Sequence, residues 1–241
     1  MVFMALNKAL VFDIWGDYGH FRKMETTTSP LTYSIPTGTA ISGLVAAILG
    51  LQRDFYYDTL SRENFEFSIR IMKPIKKIRL NINIIKTDAG FYLWDIKGTP
   101  RSPTPYEFLK TPHYRVYLRF RETKMHEKLK YYLESHKTIY TPYLGISELI
   151  ANFNYVGEFD IIAKEAKNSQ IDSVISKNDV KVKIDDLKEG MRWSNENIPL
   201  YMNSERCVKE YSNVLLEQTG RPITIENGSF WRIGEENVIF L

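Results

Sequence analysis

Lys8–Gly50 reads KALVFDIWGDYGHFRKMETTTSPLTYSIPTGTAISGLVAAILG, a short apolar run, a polar loop and an apolar helix in direct succession. Lys8 to Trp15 reads as a buried strand. The helix has visible punctuation: Pro36, Thr37, Gly38 and Thr39 mark its start, and Gly50 stands where a left-handed C-cap is wanted. Between them Ile41, Leu44, Val45, Ile48 and Leu49 repeat at helical spacing, which predicts one buried face. Gly38, Ala40, Gly43, Ala46 and Ala47 leave the rest of the helix without bulk, so backbone or ligand can approach closely. The loop carries Tyr18, His20, Arg22, Lys23, Thr26, Thr27, Thr28, Ser29 and Tyr33, nearly all donors or flat rings. Donors delivered to a helix N-terminus make an anion site.

Working outward, Phe65–Met72 and Ile78–Ile85 alternate apolar and polar residues, separated by Pro74, and are expected to pair as antiparallel strands. Tyr114–Arg121 alternates likewise, and Thr123 opens a helix to about Ser135, with Met125, Leu129 and Tyr132 at helical spacing. Strand, helix, strands, helix, strand is the order of a ferredoxin-like (RRM-like) split βαβ unit, so the fold class is α+β. Asp88–Pro112 interrupts it with four prolines and with Phe91, Trp94 and Tyr106, and does not read as a core strand. A connection this long in a compact domain is functional or disordered. From Tyr140 the chain turns acidic, with strand-like pieces at Tyr155–Ala163, Ile171–Ile175, Cys207–Glu217, Ile223–Glu226 and Val238–Leu241. The expected division is therefore 1–140, a ferredoxin-like domain with an insertion at 88–112, and 141–241, a small β-rich domain.

At 241 residues with 44% hydrophobic and 25% charged residues, the composition is that of a folded soluble chain. No run of 18 apolar residues or secretory h-region appears, so a cytoplasmic protein without membrane contact is expected. Cys207 is the only cysteine, which excludes an intramolecular disulfide and any multi-cysteine metal site. The net charge of +3 conceals an asymmetry: residues 62–137 hold 17 basic and 8 acidic side chains, a balance of +9. Residues 138–241 hold 11 and 16, a balance of −5. A basic middle is either a polyanion contact or a solvated lysine-rich surface.

Arg115, Tyr117, Arg119 and Arg121 share one strand face, which suits phosphates and bases but reads more simply as a solvated face. His20 beside Arg22 and Lys23 reads as a hydrogen-bond donor of an anion loop rather than a catalyst. His126 and His136 read as helix-surface residues, and no metal site or cofactor is expected. No phosphate-loop, nucleophile-elbow or zinc-protease motif is present. Tyr33, Lys110 and His113 have the chemistry for RNA cleavage by 2′-OH attack, which needs a base, an acid and a cation.

GDYGHFRKMETTTSPLTYSIPTGTAISGLVAAILGL (Gly16–Leu51), KTIYTPYLGISELIANFNYVGEF (Lys137–Phe159) and IPLYMNSERCVKEYSNVLLEQTGRPITI (Ile198–Ile225) together resemble the CRISPR-associated Cascade subunit of the RAMP superfamily that holds the 5′ handle of the crRNA, the subtype I-B branch in particular. The likeness spans nearly the whole chain. It implies a ferredoxin-like RNA-binding domain, a projecting hairpin called the thumb at 88–112, and a smaller C-terminal β domain. Its implied partners are the crRNA, the backbone and large subunits of Cascade and, in the assembled complex, target DNA. The implied RNA contacts are His20, Arg22, Lys23, Thr26, Thr27, Thr28, Ser29, Tyr33 and Gly38 in the first block and Tyr143 in the second. In the thumb they are Phe91, Trp94, Lys97, Arg101, Tyr106 and Lys110, with His113 immediately after it. A related branch, subtype I-C, cleaves pre-crRNA with a tyrosine and an adjacent lysine–histidine pair. Here Thr111 and Pro112 separate Lys110 from His113, so a non-catalytic subunit is expected, with a metal-independent endoribonuclease as the alternative. A generic single-strand RNA-binding module is the third reading.

Overall fold

The computed structural model describes residues 7–86, 97–177, 180–183 and 189–241. The described residues form three antiparallel sheets and few helices. The first part of the chain comprises β1 (Lys8–Trp15), β2 (Tyr18–Gly19), α1 (Gly38–Leu49), α2 (Tyr56–Thr59), β3 (Phe65–Ile71), β4 (Lys77–Ile85), β5 (Arg101–Lys110), β6 (His113–Phe120) and α3 (Thr123–Glu134). It continues with β7 (Asn152–Ile171), β8 (Ile175–Ser176), β9 (Val180–Val182), β10 (Trp193–Met202), β11 (Val208–Glu217), β12 (Ile223–Ile233) and β13 (Glu236–Val238).

The largest sheet runs β13-β12-β7-β1-β6-β3, with β9 also against β12. Leu10, Phe12 and Ile14 of β1, Phe65, Phe67 and Ile69 of β3, and Tyr114, Val116 and Leu118 of β6 all face one core with α1 and α3. On the opposite face Ala9, Val11 and Tyr117 pack beneath Ile161, Ile233, Val238 and Phe240. Strand β1 is thus buried on both sides, which is why its sequence is a continuous apolar run rather than an alternation. Strand β7, 20 residues long, pairs with β1 through its first half and with β12 through its second.

Helix α1 forms as its sequence dictates. Thr37 caps it by accepting from the Ala40 N–H, Gly50 closes it at φ +70°, and Ile41, Leu44, Val45, Ile48 and Leu49 are buried. Gly38 is required by close approach, because a Cβ there would lie 2.2 Å from the Leu200 carbonyl oxygen of β10.

Three expectations are corrected. Phe65–Ile71 does not pair with Lys77–Ile85: β3 lies against β6 in the large sheet, and β4 pairs with β5 in a separate three-stranded sheet ordered β2-β5-β4. Within 88–112, Arg101–Lys110 is a regular ten-residue strand despite its prolines. The Glu107 N–H points away from β4 to the Pro30 carbonyl, and Pro103 and Pro105 share its parity, so their missing N–H groups fall on the edge that β4 does not use. His126 is fully buried rather than on the helix surface, because α3 turns His126, Leu129 and Leu133 inward.

Candidate nucleic-acid interface

The loop between β2 and α1 is held from three sides. The His20 N–H donates to the Leu144 carbonyl at 2.9 Å, and Gly145, at φ +95°, must be glycine because a Cβ would meet the His20 carbonyl. The His20 side chain is fully buried, with Nδ1 2.8 Å from the Glu107 carbonyl and the ring against Tyr106 and Phe108 at 5.3 and 5.6 Å. Burial lowers its pKa, so the ring is a neutral pin between loop and hairpin rather than a surface cation.

Beyond His20 the chain turns back on itself. Arg22 bridges Thr32, and the Lys23 N–H donates to the Leu31 carbonyl at 2.8 Å. Thr26 Oγ1 donates to the Lys23 carbonyl and accepts from the Leu31 N–H, closing the turn from inside. Thr27, Thr28 and Ser29 are exposed at its tip, as is Arg22, whose guanidinium donates to the Thr26 carbonyl at 3.2 Å. The Lys23 ammonium lies 5.2 Å from the centre of the Tyr33 ring. Tyr33 itself is buried, and burial pushes its hydroxyl up to about 12, so it stays protonated at neutral pH.

The hairpin of β4 and β5 is anchored to this loop at its base. Lys77 Nζ donates to the Thr32 carbonyl at 2.7 Å and lies 3.3 Å from Glu107, which accepts from the Thr32 N–H. From β10 the buried Glu196 accepts from both the N–H and the hydroxyl of Ser34 at 2.8 Å each, with Lys23 and Lys77 at 3.7 and 3.9 Å. Loop, hairpin and β10 are therefore joined by two carboxylates and two ammonium groups.

The hairpin has two unlike faces. Ile78, Leu80, Ile82 and Ile84 of β4 share one face with Ser102, Thr104, Tyr106 and Phe108 of β5. Leu80 and Ile84 remain 43% and 39% exposed there. Arg79, Asn81 and Asn83 lie on the other, opposite Glu107, Pro105 and Pro103. Lys97, Arg101 and Lys110 are exposed, whereas Phe91 and Trp94 lie outside the described residues. Among the described residues no hydrogen bond or ion pair joins Tyr33, Lys110 and His113. Lys110 ends β5, the turn at Thr111 and Pro112 changes sheet, and His113 opens β6 beside Trp15 and 3.9 Å from Asp13. Burial lowers the His113 pKa as well.

Of the face expected from Arg115, Tyr117, Arg119 and Arg121, the first three are neither a free cationic surface nor a solvated one, whereas Arg121, just past the end of β6, is exposed. Asp13 holds Arg115 at 2.8 and 3.1 Å, Glu236 of β13 meets Arg70, Arg115 and the Tyr117 hydroxyl, and Glu66 pairs with Arg119. The carboxylates consume the charge that alternation alone makes available. His126, Glu127 and Glu158 approach one another closely enough to hold an ion, but Lys8 at 2.7 Å and Lys130 at 3.4 Å neutralise Glu158 instead.

Tyr143, 45% exposed, lies on the wall of a cavity of about 310 Å³ that also takes in Arg22, Tyr56, Tyr57 and the outer side of α1. Sequence reading passes over Tyr56, Tyr57, Lys77, Glu107 and Glu196. Their only signal is composition, since the contacts that give them meaning span up to 162 positions.

A mostly antiparallel β chain with two helices on one sheet face, a projecting two-stranded ribbon and a cation-bearing loop at its base is the class that these elements define. Residues 9–233 match the family described as CRISPR-associated protein (Cas_Cas5), and the chain belongs to that family. The fold is similar to a CRISPR protein from Archaeoglobus fulgidus, at 15% identity and a TM-score of 0.54 over 96% of this chain and 98% of that one. It is also similar to a chain of a CRISPR RNA-guided surveillance complex, at 14% identity and 0.55 over 89% and 91%. No curated protein matches. Among the described residues no helix is long and apolar enough to cross a membrane.

Proposed function

We propose that the chain is a non-catalytic subunit of a type I, I-B-like Cascade that binds the 5′ handle of the crRNA and contacts the backbone and large subunits. Family membership and the fold shared with a chain of a CRISPR RNA-guided surveillance complex support a crRNA-associated role. The observation that carries the handle reading is the interlocking of loop and hairpin through Lys77, Glu107 and Glu196, which holds exposed Arg22, half-buried Lys23 and the ribbon together. Such an arrangement neutralises phosphates and offers rings for unstacked bases, as single-strand binding requires.

The order β7-β1-β6-β3, with α1 between β1 and β3 and α3 between β6 and β7, supports a ferredoxin-like unit, and the β4–β5 ribbon is its thumb. Binding rather than cleavage is the role this reading assigns, and it is supported by Lys110 and His113 standing in different sheets, with no hydrogen bond or ion pair to Tyr33 among the described residues. Gel shift and gel cleavage assays with labelled repeat RNA in EDTA test both parts. Retained, uncut RNA is expected. A site-specific product abolished in His113→Ala would replace this reading with a metal-independent endoribonuclease, and no binding to handle RNA would remove the subunit assignment.

A further inference from the structure

The cavity beside the loop is built in a way that core packing does not explain. Helix α1 is buried along most of its length, and the residues it leaves half-buried before its cap are Thr39, Ala40, Gly43 and Ala47. All four line this cavity. Glycine inside a helix lowers its stability relative to alanine, so its presence needs a reason. Contact does not supply one, because a Cβ on Gly43 would meet only the Tyr56 hydroxyl, at an ordinary 3.4 Å. What a side chain there would consume is open space.

Three tyrosine rings stand on the walls around that space, among the apolar side chains of Met24, Leu44, Ile146, Met202 and Val208. Tyr56 and Tyr57 contribute rings 4.3 Å apart, and the exposed Tyr143 contributes a third. Arg22, the exposed guanidinium of the loop, lines it too. A volume of about 310 Å³ lies at the small end of ligand cavities, roughly 300–1,000 Å³, which suits one ring system and excludes a docked helix. Flat rings beside a cation match a base attached to a phosphate.

Resting on the reading above, we propose that this cavity takes a single unstacked nucleobase of the bound RNA. The tyrosine rings pack against it, Gly43 leaves it room, and Arg22 meets the adjoining phosphate. The site thereby adds a base-holding element to a loop that otherwise offers charge alone.

Repeat RNA, and the same strand with each base in turn removed to leave the ribose, are titrated against the full chain and against Gly43→Leu. One position is expected at which base removal weakens wild-type binding about tenfold, in keeping with the worth of one aromatic stack. At that position Gly43→Leu should bind intact and abasic strands equally. Gly43→Ala, which adds one methyl, should melt higher than wild type. Should Gly43→Leu not fold, Tyr143→Ser at an exposed position carries the same comparison. RNA bound with no position-specific loss, or weakened by Gly43→Leu equally with and without every base, overturns the cavity assignment alone. A wild-type chain that binds no repeat RNA overturns the handle reading with it.

Discussion

Ser34, in the loop before α1, donates its backbone N–H and its hydroxyl to the two carboxylate oxygens of Glu196, 162 positions further along the chain. The carboxylate is only 7% exposed, so water cannot replace those donors cheaply. Glu196→Ala leaves the Ser34 N–H unpaired and frees Lys23 and Lys77 from a shared counter-charge. The expected loss is about 2–4 kcal/mol, from two hydrogen bonds to a buried charge and the groups left unsatisfied. Urea unfolding of wild type and Glu196→Ala measures it, and a loss below about 1 kcal/mol would mean that the loop is held by the Lys77 and His20 contacts alone.

Acid should loosen the chain through Glu158. Hydrogen bonds from Lys8 and then His126 hold its carboxyl at about 2, below the ordinary value of 4.5. Because the folded-state pKa is depressed, the stabilisation is present above the unfolded value and is lost as pH falls towards 2. Melting temperatures should therefore decline between about pH 5 and pH 2, and Glu158→Gln should flatten that decline while melting lower at pH 7. Parallel curves for the two proteins across that window would remove Glu158 as the group responsible.

Most of what positions the site was legible where the cause was local. Thr37, the spacing from Ile41 to Leu49 and Gly50 fix α1 without help from the rest of the chain. Where two signals competed, the non-local one won. Pro103 and Pro105 read as strand breakers, yet strand breaking depends on which edge the missing N–H faces, and that is decided by β4 and Pro30. The alternating runs before and after Pro74 invite a hairpin, but each meets a better partner further along the chain, β6 for one and β5 for the other. The basic strand face points away from the α1 core as its alternation predicts, but at Arg115 it meets carboxylates rather than water, because Glu236 approaches from 121 positions away. His20 shows the same limit: its loop is visible in the sequence, its burial under Tyr106 and Phe108 is not.

Arg22 and Lys23 should carry phosphate contacts. Arg22 is exposed with one bond to a carbonyl, and Lys23 sits 3.7 Å from Glu196, within reach of a competing anion. Each phosphate contact on a single strand contributes about 0.7 to the dependence of log K on log salt, so the double variant Arg22→Ala/Lys23→Ala should lower the slope by about 1.4. Fluorescence anisotropy across a salt series with handle RNA reads it directly. An unchanged slope would place the RNA elsewhere.

The ribbon of β4 and β5 should be the part of the chain most changed by assembly. Near its base Phe108 and Leu109 are buried, and Lys77 ties it to Thr32 and Glu107. Further out, Leu80 and Ile84 are exposed on a two-stranded element, which is marginally stable by itself and gains most from a covering partner. Lys97 and Arg101 are exposed at the far end and are sites for trypsin. Limited digestion of the free chain should cut at Lys97 or Arg101 first, and addition of crRNA with the backbone subunit should protect both. Leu80→Ser combined with Ile84→Ser should leave the melting temperature of the free chain nearly unchanged, since neither side chain is in the core, while weakening that protection. Equal cutting in the free and assembled protein, with the double variant indistinguishable from wild type, would mean that the ribbon projects into solvent and touches neither RNA nor subunit.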